Sequence, residues 1–258
     1  MDTEIKQEYL KQMGIDIWVR RNVEPDNLLE QKTISLEEPL PHSVSKSDEI
    51  VLQPESYVET TSEPAIENSS LYSDYDLDRL RNEVEQCQKC QLCQTRNNSV
   101  FGYGSDVARL MIIGEAPGAD EDREGLPFVG RAGKLLDNML LAIKLNREII
   151  YIANILKCRP PNNRDPQVAE VEACTPYLER QIELIQPDVI LVLGRVAAHY
   201  LLQTDAPLSR LRGTQTVYGK RSTPVVITYH PAYLLRSPDQ KRKSWEDLKM
   251  VKRILSKK

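Results

Sequence analysis

The stretch Pro224-Val225-Val226-Ile227-Thr228-Tyr229-His230-Pro231-Ala232-Tyr233-Leu234-Leu235-Arg236 is where the fold is decided. It opens on a short apolar run that reads as a buried strand. A histidine stands at the strand's carboxyl end, a proline stops the strand, and two leucines and an arginine form the tip beyond it. In open α/β sheets, ligands sit beyond the carboxyl ends of the strands. On its own, a histidine after a strand is more often a satisfied loop residue than a functional one.

Working outward, the same pattern recurs upstream. Ala108-Arg109-Leu110-Met111-Ile112-Ile113 is a second apolar run and ends at Gly114. Ile149 to Leu156 is a third, and Val189 to Leu193, ending at Gly194, a fourth. Helical periodicity fills the gaps, over 132–144, from an Asp165-Pro166 start to 185, over 195–202 and over 238–255. Residues 115–130 and 160–166 read as loops by their Gly, Pro and Asn content. Strand and helix alternate, which predicts a parallel sheet covered on both faces.

Charge divides the chain. Residues 1–75 hold 16 Asp and Glu against 6 Lys and Arg, and the remainder holds 22 against 28, for a net charge of −4 over 258 residues. Residues 25–73 are rich in Glu, Ser, Pro and Thr and poor in large apolar side chains, so they cannot bury enough surface to offset chain entropy. We therefore expect an acidic, mostly disordered leader over 1–74 and a mildly basic globular domain over 75–258. A basic domain suits a nucleic-acid partner, and it equally suits an ordinary solvated surface. Within the leader, Met13-Gly14-Ile15-Asp16-Ile17-Trp18-Val19-Arg20-Arg21 closes a short helical segment. Trp and Arg are favoured interface anchors, so residues 1–24 read either as a docking peptide or as a helix packed on the domain. The segment resembles the amino-terminal part of the psi subunit of the bacterial replicative clamp loader, which implies a replication-machinery partner. No run of eighteen apolar residues and no secretory signal occur, so we expect a cytoplasmic monomer with no membrane span.

A reducing compartment makes the five cysteines poor disulfide candidates. Cys87-Gln88-Lys89-Cys90-Gln91-Leu92-Cys93 follows a helical pattern in which Leu77, Leu80, Val84 and Cys87 share a face. Cys158 follows the third apolar run and Cys174 sits on the next helix. Four thiolates can hold a [4Fe–4S] cluster or a tetrahedral zinc ion. The spacing alone does not choose between these, or exclude Cys93, or exclude five structural cysteines.

Four motifs in order carry a resemblance. Gly114-Glu115-Ala116-Pro117-Gly118, Pro127-Phe128-Val129-Gly130-Arg131-Ala132-Gly133, Asn154 with Lys157-Cys158-Arg159-Pro160-Pro161, and His230-Pro231-Ala232-Tyr233-Leu234-Leu235-Arg236 resemble the family 4 uracil-DNA glycosylases over residues 77–255. The resemblance implies a three-layer α/β/α fold on a four-stranded parallel sheet, uracil-containing DNA as substrate, and a [4Fe–4S] cluster on Cys87, Cys90, Cys158 and Cys174. A related branch that becomes covalently linked to DNA carries a basic insertion after the Gly-Arg-Ala-Gly motif. Here Gly133 runs straight into Lys134-Leu135-Leu136-Asp137, which disfavours that branch.

Roles follow from residue chemistry and the resemblance together. Phe128 is one of two phenylalanines and lies in a Pro/Gly-rich loop, so it is our base-stacking candidate. The Asn154 amide offers one acceptor and two donors, the complement of uracil's N3–H and O4. His230 would donate to uracil O2, and neutral imidazole suffices for that. Gly114 and Ala116 belong to the loop that binds substrate. Ala116 occupies the place where relatives carry a water-positioning Asp, so Glu115, then Glu121, is the carboxylate candidate. Leu234 and Leu235 are wedge candidates, with plain loop packing as the alternative, and Arg236 would hold a phosphate. Two other readings stay open: a non-catalytic iron–sulfur DNA-binding module tethered to replication proteins, and a nucleotide-binding α/β protein with structural zinc.

Overall fold

The computed structural model describes residues 71–214 and 216–257. The docking segment at 1–24 and nearly all of the expected leader lie outside the described residues. Packing begins ahead of Tyr75: Tyr72 is buried, stacks on Tyr177 with ring centroids 4.9 Å apart and meets Tyr75 edge-on at 5.2 Å. Helix α1 (Leu77–Glu85) starts where the Asp76 carboxylate accepts the Arg79 backbone N–H at 2.8 Å. Its Leu80 and Val84 pack with Tyr72, Phe101 and Tyr177.

Among the described residues one sheet has six strands, in the order β1 (Tyr103–Gly104), β3 (Tyr151–Asn154), β2 (Leu110–Gly114), β4 (Val189–Leu193), β6 (Thr223–Thr228), β5 (Thr216–Tyr218). The four apolar runs form the central strands, and these pair in parallel. The expectation of a sheet with four strands, all parallel, needs correction, because β1 and β5 add antiparallel edges and make the sheet mixed. Both edges are short, β1 exposed and β5 half-buried, so neither leaves an apolar run to read.

Side chains alternate across the sheet. In β2, Met111 and Ile113 enter one core cluster with Leu178 and Ile182 of α4 (Val168–Ile185) and Ala197 and Leu201 of α5 (Arg195–Leu202). Leu110 and Ile112 enter another, with Leu136 and Met139 of α3 (Arg131–Ala142) and Leu248 and Val251 of α8 (Lys241–Ser256). Each such side chain stabilises the fold by about 1.5–3 kcal/mol on burial. No helix among the described residues is long and apolar enough to cross a membrane.

Local readings differ at four places. Residues 119–124, expected as loop, form α2 (Ala119–Glu124), which starts as the Glu121 carboxylate takes the Gly118 N–H at 3.0 Å. The cap of α4 is Gln167 rather than Asp165. A four-residue helix, α6 (Leu208–Leu211), precedes β5. The tip after His230 is helix α7 (Pro231–Arg236), with His230 as its cap and Pro231 in the first turn, where a missing N–H costs nothing.

Candidate active site

The carboxyl ends of β2, β3 and β6 converge on one cavity of about 430 Å³, within the range of small-molecule sites. Gly114 ends β2 in register with Asn154 at the end of β3. Pairing continues past both strands, through Ile155 N–H to Gly114 O and Leu156 N–H to Glu115 O, each at 3.0 Å. A Cβ on Gly114 would collide with Asn154 Oδ1 and lie 2.7 Å from Phe128 Cζ. Glycine is needed there because the amide and the ring lie directly over the backbone. Asn154 is 1% exposed, and its Oδ1 has no hydrogen-bond partner. Buried polar atoms are rarely left so, and an orphan acceptor facing a cavity points to a ligand donor.

Phe128 sits at φ +55°, a left-handed conformation that costs a bulky residue about 1–3 kcal/mol. Two neighbours impose it. Arg147 donates to Pro127 O at 2.9 Å and also to Phe128 O, while pairing with Asp137 on α3. Gly133 lets α3 press against the Phe128 carbonyl, where any Cβ would collide. The Phe128 ring then lies 5.6 Å from the His230 ring, tilted by 33°.

His230 is fixed by its own helix. Its Nδ1 accepts the Ala232 N–H at 3.1 Å, so the ring proton resides on Nε2. Burial lowers its pKa to about 4, and the Arg236 cation adds to the shift. The ring is therefore a neutral donor at physiological pH. Gly194, at φ +91°, gives the His230 Cβ room to approach β4.

The two candidate carboxylates differ sharply. Glu121 accepts from the N–H groups of Gly118, Val129 and Gly130 at 3.0, 3.1 and 3.3 Å. Its oxygens strap the Gly114–Gly118 loop to the Phe128 loop, which makes it a positioning residue although it borders the cavity. Glu115 and Ala116 also border the cavity, both half-buried. The pKa of Glu115 is raised to about 7, chiefly by burial and then by Asp165, with Arg195 opposing.

Helix α7 sorts the remaining candidates by its 3.6-residue turn. Leu234 is 0% exposed and belongs to the core, so its reading as a wedge is corrected. Leu235 stands 37% exposed, and Arg236 borders the cavity mouth. Tyr233, which the sequence reading quoted without a role, is 37% exposed and borders the same cavity. So do Asn163 and Arg164. Asn162 and Asn163 are both left-handed, and Arg164 grips Glu170 with two bonds of 2.9 and 2.6 Å. The Asn-Asn pair was the available signal, because Asn tolerates that conformation.

A second, smaller cavity is bordered by Cys87, Cys90, Cys93, Cys158 and Cys174, with Arg96 and Lys157. Arg96 Nη1 donates to Cys158 Sγ at 3.0 Å. Among the described residues no group of three or more His, Cys, Asp or Glu side chains is arranged to hold a metal ion. The five thiols border one cavity together with two basic side chains.

Comparison with known proteins gives a consistent picture. The profile of the uracil DNA glycosylase superfamily matches residues 101–249. A type-4 uracil-DNA glycosylase of Saccharolobus solfataricus is 47% identical over 191 residues, covering 71% of this chain and 88% of that protein. One of Archaeoglobus fulgidus is 46% identical over 191 residues, covering 70% and 94%. One of Sulfurisphaera tokodaii is 42% identical over 185 residues, covering 69% and 84%.

Proposed function

The chain belongs to the uracil DNA glycosylase superfamily, beside its type-4 members, and from that premise we infer how its cavity releases uracil from DNA. The enzyme is a hydrolase of DNA repair that breaks the N-glycosidic bond of deoxyuridine. An enzyme acting on a base must first take it out of the stack. In our reading the extruded ring lies on Phe128. Asn154 Oδ1 accepts from N3–H and Nδ2 donates to O4. Cytosine presents the reverse at those atoms and would leave Asn154 buried and unpaired.

The bond from C1′ to N1 then breaks with its electron pair staying on uracil. His230 donates from Nε2 to O2 as negative charge gathers there, an interaction worth about 3–4 kcal/mol when lost. The Glu115 carboxylate supports the sugar cation and positions the water whose oxygen bonds to C1′. As the C1′–O bond forms, the water's proton passes to the Glu115 carboxylate and on to solvent, and the departed pyrimidine anion takes a proton from solvent. Leu235 enters the gap in the duplex, and Arg236 takes a flanking phosphate. Gly114 and Ala116 shape the substrate loop.

The observation that carries this reading is the buried, unpartnered Asn154 Oδ1, packed with Phe128 over Gly114 beside the His230 donor. The test is incubation with a uracil-containing oligonucleotide followed by alkali. The full chain, and a chain starting at Leu71, should both give strand cleavage. An Asn154→Ala, His230→Ala double variant should lose at least 10³-fold in rate, about two deletions of this kind. Cleavage by the double variant at the full chain's rate would reject the assignment.

We also propose that Cys87, Cys90, Cys158 and Cys174 hold a [4Fe–4S] cluster. When bound, such a group would cross-link α1, the β3 exit and α4 rather than transfer electrons. Arg96, which donates to Cys158 Sγ at 3.0 Å, would offset thiolate charge there. A brown protein with ~4 iron atoms per chain is expected, and a colourless, zinc-loaded protein would contradict it. The separate core clusters on the two faces of the sheet support the three-layer arrangement. We keep the leader expected over 1–74 outside the catalytic unit only up to residue 70, because Tyr72 packs on Tyr177, with 1–24 docking to a replication partner, in a cytoplasmic monomer.

A further inference from the structure

Tyr233 is a feature of the cavity mouth that this mechanism leaves unused. We propose that its ring is a stacking subsite for the DNA base next to the extruded uracil. The proposal rests on the excision reading and adds a residue to it.

The ring is held in place from behind. It stacks on Tyr229, with centroids 5.1 Å apart and planes at 28°. Arg212 lies over the Tyr229 ring, its Cζ 4.5 Å from the centroid. Arg212 in turn donates to both oxygens of the buried Asp247, at 2.9 and 3.0 Å, and to Lys243 O at 2.8 Å. A column thus runs from α8 through Arg212 and Tyr229 to Tyr233 at the surface. The helix start fixes the backbone as well, since Tyr233 N–H bonds His230 O at 2.9 Å. The aromatic platform is therefore ordered before any ligand arrives, which lowers the entropy cost of binding.

Its place decides the ligand. Phe128, 5% exposed, provides the inner wall, whereas Tyr233 is 37% exposed on the rim of the same cavity. A base on Tyr233 is thus outside the inner slot yet only one nucleotide from its occupant. Tyr233 and Arg236 are three apart on one helix, so a base on the ring sits beside the cation proposed for the phosphate. The column's own charges, Arg212 and Asp247, cancel in an ion pair. Its contribution should be stacking, which tolerates any base and depends little on salt.

The test uses the full chain on four oligonucleotides. One has normal bases around deoxyuridine, and the others carry a reduced abasic analogue on its 5′ side, its 3′ side or both. On the normal substrate, Tyr233→Ala should raise KM roughly 5- to 100-fold, the range of one base–aromatic stack, with kcat little changed. Tyr233→Phe should restore KM. The penalty should vanish when the base on one side is removed, and that side names the stacked neighbour. The salt dependence of binding should keep its slope in Tyr233→Ala and lose about one unit in Arg236→Ala. The proposal is overturned if Tyr233→Ala matches wild type, or if its penalty persists with both neighbours abasic. Should Tyr233→Ala not fold, wild type alone decides: it must lose the same factor when the neighbour is removed, and indifference to the neighbour rejects the subsite. Failure of wild type to release uracil from any substrate would instead sink the excision reading.

Discussion

Glu115 sets folding against chemistry at a single residue. Its carboxyl titrates at about 7 in the folded chain against 4.5 in the unfolded one, mainly because burial disfavours the charge. Below pH 4.5 both states are protonated and the residue is neutral toward stability. Between 4.5 and 7 the folded state keeps a proton that the unfolded state has lost, so stability falls as pH rises through that window. Glu115→Gln should therefore melt higher than wild type at pH 8, by about 2–4 °C for each kcal/mol recovered. It should show no such gain at pH 4. Excision should move the other way. Wild-type kcat/KM should climb to a plateau above pH 7 as the carboxylate forms, and the variant should be slow and flat. His230 adds no limb there, because it loses its proton near pH 4. A Glu115→Gln enzyme with the wild-type rate would remove Glu115 from the chemistry. At this scale the sequence was informative where a residue type was scarce or stood inside a motif: Phe128, Asn154 and His230 border one cavity. It was silent on Arg147 and on the strap made by Glu121, whose work is done through backbone carbonyls and amides that no residue pattern encodes.

Helix α7 shows the same limit one level up. Six residues are too few for periodicity to reveal a helix, so Leu234 and Leu235 read as equivalent neighbours on a loop. The helical turn separates them, one into the core and one toward solvent. Leu234→Ala should cost about 2–5 kcal/mol in urea denaturation, the usual range for a buried leucine. Leu235→Ala should change stability by no more than about 0.5 kcal/mol. It should instead slow excision from duplex more than from single-stranded DNA, where no gap needs filling. Equal stability losses in the two variants would contradict this division. The central strands were legible because each is buried on both faces and reads as an unbroken apolar run. The edges β1 and β5 were not, since short strands that are exposed or half-buried carry no such signal. The Asp165-Pro166 pair misled because a good local cap was overridden by Gln167, whose N–H meets the Glu170 carboxylate at 2.9 Å.

Across the whole molecule, the two cavities share one stretch of chain. Asn154 ends β3 at the cavity proposed to take uracil, and Cys158 borders the thiol cavity. Lys157 lies between them, 1% exposed, and donates to Asn154 O at 2.8 Å and to Gln181 Oε1 at 2.7 Å. Gln181 passes the network on, through its Nε2 to Phe101 O at 2.9 Å and Tyr151 Oη at 3.1 Å. On the far side, the buried Asp122 of α2 accepts from Asn97 N and Nδ2 at 2.9 and 2.6 Å, tying the cysteine-bearing segment to the substrate loop. Lys157→Met keeps the bulk of the side chain and removes its donors. Two buried oxygens then lose their partner, at about 1–3 kcal/mol each, so a loss of about 2–6 kcal/mol is expected in urea denaturation. Because Asn154 O is one of them, the amide proposed to read the base should lose its fixed position. Single-turnover excision should slow and discrimination against cytosine should weaken, since the amide proposed to read the base is displaced. A variant as stable as wild type, or one whose excision rate and discrimination match wild type, would mean that Lys157 fills space rather than holding Asn154 in place.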